Sequence, residues 1–105
     1  MATIPNSRII HAPSAEVKEM IVRRMPASAR AGLEGVRIDA IGLIQANICN
    51  IFFYADIAQK AAAIYPAELH GSCPQQIVTL ALFGDVSAVQ SAMKAIGANM
   101  AGEKS

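Results

Sequence analysis

The run Ile77-Val78-Thr79-Leu80-Ala81-Leu82-Phe83 leaves this chain the least freedom. It is rich in β-formers and apolar at both odd and even positions, so a strand built from it cannot turn either face to water. It therefore reads as a central strand. Gly84-Asp85 follows at once, a turn residue and then a good helix cap, and Val86, Val89, Met93 and Ile96 repeat at helical spacing beyond it. Strand, tight turn and helix are thus specified over residues 77–97.

The rest of the chain is arranged around that unit. Arg8-Ile9-Ile10-His11 is a short β-prone run closed by Pro13, and Ser14 is placed to cap a helix carrying Val17, Met20, Ile21 and Met25, which ends near Pro26. Residues 26–35, PASARAGLEG, read as a connection. Val36, Ile38 and Ala40 alternate with Arg37 and Asp39, which predicts a half-buried strand running to Ile44. Apolar residues at 48, 51, 52, 55, 58 and 62 mark the buried face of a helix, with Asp56, Gln59 and Lys60 opposite. Pro66 is expected to break the chain, and Ala67–His70 to form a strand before the connection HGSCPQ. The order β-α-β-α-β-β-α describes a single α+β domain over residues 8–97, an antiparallel-rich sheet with helices packed on one face, and residues 1–7 and 98–105 as flexible tails.

Composition narrows the function. Hydrophobic residues make up 53% and charged residues only 16% of the chain, so it has little polar surface with which to cover itself. Self-association is the direct consequence. A net charge of +1, no basic cluster longer than Arg23-Arg24 and 5% aromatics argue against nucleic acid. The opening MATIPNSR lacks a basic stretch followed by an apolar one, and polar residues interrupt every apolar run, so neither a signal peptide nor a membrane span is expected. A cytoplasmic protein follows, in which Cys49 and Cys73 stay unpaired, with Cys49 a small buried filler.

Two groups of residues resemble the hexameric shell proteins of bacterial microcompartments, built on the BMC domain. Leu82-Phe83-Gly84-Asp85-Val86-Ser87-Ala88-Val89 is similar to that family's strand-to-helix turn. Ala40-Ile41-Gly42-Leu43-Ile44 is similar to its first strand, and Ala55-Asp56 with Lys60 to the helix after it. Ile9-Ile10-His11-Ala12-Pro13-Ser14-Ala15-Glu16-Val17 resembles the strand-Pro-helix segment that ordinarily closes the domain, but here it comes first. That order resembles the circularly permuted members. Gln45 stands where the family usually has Glu. His11-Ala12-Pro13 stands where it has an Arg between prolines, so Lys60, matched to the hexamer edge, lacks its usual Arg partner.

The resemblance implies a structural shell tile and not an enzyme: a homohexamer that meets other shell proteins, with Gly71, Ser72, Cys73, Pro74 and Gln75 lining a central pore. A cysteine in that segment is most like the shell proteins of glycyl-radical propanediol compartments, which bind an iron–sulfur cluster in the pore. Six-fold symmetry would gather one thiol per chain around the axis, and Pro74 restricts the backbone of Cys73, so Cys73 is the expected ligand of a 4Fe-4S cluster. The cluster would serve electron transfer or redox sensing across the shell, or plug the pore. The alternative is a pore selective for small metabolites without a metal. His70, three residues before Cys73, is a competing ligand, but no second ligand pair accompanies it for zinc.

Overall fold

The structure, a computed structural model, describes residues 7–70 and 77–103, with side chains through residue 99. Strands β1 (Ser7–His11), β2 (Ala40–Asn47), β3 (Tyr65–Leu69) and β4 (Ile77–Gly84) form one antiparallel sheet in the order β1-β2-β4-β3. Helices α1 (Ala15–Val22), α2 (Ala27–Leu33), α3 (Ile48–Ala61) and α4 (Val86–Glu103) surround it. The fully apolar run is β4, paired with β2 on one side and β3 on the other, as a central strand must be.

The caps explain where three helices begin. The Ser14 hydroxyl accepts from the Val17 N–H at 3.2 Å, Asn47 Oδ1 from the Asn50 N–H at 3.1 Å, and Asp85 Oδ1 from the Ala88 N–H at 2.7 Å. Each satisfies an otherwise unpaired donor of a first helical turn. α4 continues to Glu103, past residue 97, where the sequence pattern loses its helical period.

Helices lie on both faces of the sheet, which corrects the expectation of one covered face. Directly paired residues of neighbouring strands share a face. Ala40, Ile44, Leu80 and Leu82 therefore pack together against Ile51, Tyr54 and Ala58 of α3 and Val89, Ala92, Met93 and Ile96 of α4. The opposite residues, Ile41, Ala81, Phe83, Ala67 and Leu69, pack against Ile21 and Met25 at the α1 end, with Ala29 and Leu33 of α2 beside them. The apolar character of β4 at both parities reflects these two cores.

α2 lies where a connection was expected. Pro26 precedes its first residue, Gly35 follows its end at φ +84, and the helix is tied down by the Tyr65 hydroxyl, which donates to the Ala29 carbonyl at 2.8 Å. Gly32 permits that approach, since a Cβ there would collide with the Tyr65 hydroxyl.

β2 runs over 40–47 and not 36–44. The ladder with β1 begins at His11–Ala40, because Ala12 turns the chain away with φ +46 and Pro13 has no N–H to offer. Val36 and Ile38 reach the α1/α2 core without being in a strand. Pro66 lies inside β3 rather than breaking it, which is possible because β3 is an edge strand whose outer side asks for no donor.

Candidate functional site

The expected pore segment joins the edge strand β3 to the central strand β4. Gly71, Ser72, Cys73, Pro74 and Gln75 lie outside the described residues. The two ends of the segment are placed, however. Leu69 pairs with Thr79, and Ile77 pairs with Asn47, so both ends sit at the end of the sheet where β2 passes into α3. His70 is held from the N-terminal unit: its N–H donates to the Arg24 carbonyl at 2.7 Å, and Arg24 Nη1 donates to the His70 carbonyl at 3.3 Å. A residue just beyond α1 thereby fixes the entry to the segment.

An exposed apolar strip occupies this same end. Ile48, Phe52 and Phe53 on α3 are 41%, 62% and 44% exposed, and Ile77 at the start of β4 is 43% exposed. Residues 48, 52 and 49, 53 are four apart and so stand one above the other on the helix surface. Cys49 belongs to this strip and is exposed, which corrects its assignment as a buried filler. Ile48 and Phe52 likewise face outward, while Ile51, Tyr54 and Ala58 make the buried face. The signal was present in the sequence: residues 51–55 are apolar without a break, more than the single stripe an amphipathic helix needs to bury. Part of α3 therefore had to remain uncovered in an isolated chain.

Farther along α3 the exposed surface turns polar. Lys60 Nζ lies 2.8 Å from Asp56 Oδ2, an i,i+4 ion pair with both side chains in solvent. Such a pair contributes only about 0.3–0.5 kcal/mol to the helix. Lys60 is thus on the outer surface of the subunit, accessible to a neighbour.

His11 and His70 do not meet. His11 pairs with Ala40 at one end of β2, whereas His70 follows Leu69 at the other, so they stand about 20 Å apart along the strands and about 14 Å apart across the sheet. Among the described residues no three His, Cys, Asp or Glu side chains gather as a metal site. A single chain also supplies one cysteine to the pore segment, whereas an iron–sulfur cubane takes four thiolates. The donor chemistry of Cys73 suits the cluster only where several copies bring their segments together.

Residues 40–105 match the BMC domain family. Among solved structures, the chain is similar to a ligand-free GrpU microcompartment shell protein from Pectobacterium wasabiae. The two are 46% identical, the match covers 87% of this chain and 98% of the other, and the TM-score is 0.74. It is also similar to the ligand-free GrpU shell protein from Clostridiales bacterium 1_7_47FAA, at 28% identity over 87% of this chain and 86% of the other, with a TM-score of 0.64. No curated protein matches the chain.

Proposed function

This chain belongs to the BMC-domain family and is a structural shell protein of a bacterial microcompartment, and from that premise we propose that it closes into a cyclic homohexamer whose Cys73 residues bind an iron–sulfur cluster at a central pore. The observation that carries the ring is the apolar strip of Ile48, Phe52, Phe53 and Ile77, standing at the end of the sheet from which the expected pore segment leaves, with nothing among the described residues to cover it. Rings of one subunit bury such a strip against the neighbouring copy and bring the same segment from each copy to the axis.

The chain is read as circularly permuted. Two facts support this: the family match begins at Ala40, the start of β2, and the β1–α1 unit that precedes it completes the same sheet along the free side of β2. Lys60 is read as a hexamer-edge residue that meets other shell proteins, consistent with its exposure.

The cluster, when bound, supplies one-electron chemistry, for transfer or sensing across the shell, and the chain's part is to present the thiolates. Anaerobic purification followed by iron and sulfide analysis tests the reading. Cys73→Ser should abolish both, because a hydroxyl is a far poorer iron ligand than a thiolate, and should leave the ring intact. Cys49→Ser should change neither iron content nor stability, since Cys49 is exposed. Wild-type protein that never contains iron would replace the cluster by a pore selective for small metabolites.

A further inference from the structure

The α1/α2 face of the sheet is covered over only part of its length. α1 and α2 have eight and seven residues, which makes them about 12 and 10 Å long, against about 27 Å for the eight residues of β2. Their packing reaches Ile41, Ala81 and Phe83, extends to Leu69 on β3, and fades at Leu43 on the β1 side. Beyond Leu43 lies an open cleft of about 540 Å³, lined by Ser7, Arg8, Leu43, Ile44, Gln45 and Thr79, with Arg8 and Gln45 exposed to solvent.

Strand register explains why polar groups converge there. Arg8 is paired with Leu43, and Gln45 with Thr79, so all four side chains share one face and Arg8 is the diagonal neighbour of Gln45. The Gln45 amide donates to Thr79 Oγ1 at 3.4 Å, which leaves the Thr79 hydroxyl proton free to point into the cleft. Among the described residues Arg8 makes no ion pair and no carboxylate lines the cleft. The cleft thus offers a guanidinium fork, a hydroxyl donor and an aliphatic wall.

We infer that this cleft binds a small organic carboxylate, with the carboxylate on Arg8 and Thr79 and a short aliphatic chain against Leu43. Arg is suited to the role because its fork of N–H groups matches the two oxygens of a carboxylate. The absence of an acid among the described lining residues means that the ligand has no competitor for Arg8 from them. The site lies at the pore-segment end of the sheet, yet it uses no cysteine and does not depend on the cluster.

The test is calorimetric titration of the full-length, assembled protein with sodium butyrate, with butyramide as the uncharged control and inorganic phosphate as a separate arm. Saturable binding of one butyrate per chain is expected, with none of butyramide. Arg8→Gln should weaken it at least about tenfold, and the isosteric Thr79→Val several-fold, in line with loss of hydrogen bonds to a charged group. Circular dichroism of both variants checks that the sheet is intact. No saturable butyrate binding to wild type, or undiminished binding by Arg8→Gln, would overturn the site. Phosphate binding as tightly as butyrate would overturn the organic carboxylate assignment, because the Leu43 wall would then contribute nothing.

Discussion

Phe52→Ser separates the forces proposed to hold the ring from those that hold the subunit. Phe52 is 62% exposed and belongs to neither core. A phenylalanine presents about 200 Å² of side-chain surface, so about 120 Å² of ring remains in water in the isolated chain. Covering that area with a neighbouring copy is worth about 3 kcal/mol at 25 cal/mol per Å². Association recovers less than area suggests, because ordering and desolvation oppose it. Even half of that figure, about 1.5 kcal/mol, weakens each subunit contact by about tenfold, and the proposed hexameric ring would contain the contact six times over. Light scattering and sedimentation across a dilution series should therefore show the Phe52→Ser ring dissociating at concentrations at which wild type stays assembled. The denaturation profile of the dissociated subunit should be unchanged within about 0.5 kcal/mol, since surface substitutions outside the core seldom cost more. If the variant ring survived the same dilution as wild type, the apolar strip would not be the ring contact and the assembly argument would fail.

Three stability predictions test the packing. Ala12 is held at φ +46, a region that costs a residue with a Cβ about 1–2 kcal/mol, so Ala12→Gly should stabilise by up to about 1 kcal/mol once the added chain entropy of glycine is subtracted, read from urea midpoints. At Gly42 a Cβ would stand 3.0 Å from Met93 Sδ and 3.2 Å from Val89 Cγ1; Met93 can swing aside but Val89 cannot, so Gly42→Ala should destabilise by about 1–3 kcal/mol in the same assay, and an unchanged midpoint would mean that α4 sits farther from β2. Tyr65→Phe removes the bond to the Ala29 carbonyl and should cost about 1 kcal/mol, with faster amide exchange confined to α2; exchange spread over the whole sheet would contradict the local role given to that hydroxyl.

The division between what the sequence and the tertiary structure decide follows from the range of the forces involved. The central strand β4, the Ser14 and Asp85 caps, the helix after β2 and the class of the fold were legible because each depends on neighbours within a few residues or on the parity of an apolar run. The strand-helix segment that opens the chain was also legible, and β1 joins the sheet that contains β4. The cover on the second face was not legible. α2 has no side-chain cap and only Ala29 and Leu33 reach the core, so its helical state rests on Tyr65, thirty-six residues from Ala29. Strand β2 begins at Ala40 because its ladder with β1 ends at His11, where Ala12 turns the chain away, a fact about two segments and not about the alternation of residues 36–44. Cys49 and Phe52 look like core residues in sequence, where an apolar side chain carries no mark of which face it will occupy. Only the orientation of α3 against the sheet turns Ile51 and Tyr54 inward and leaves Cys49 and Phe52 in water, because one helix buries one stripe against its own chain and the remaining apolar surface must await a partner.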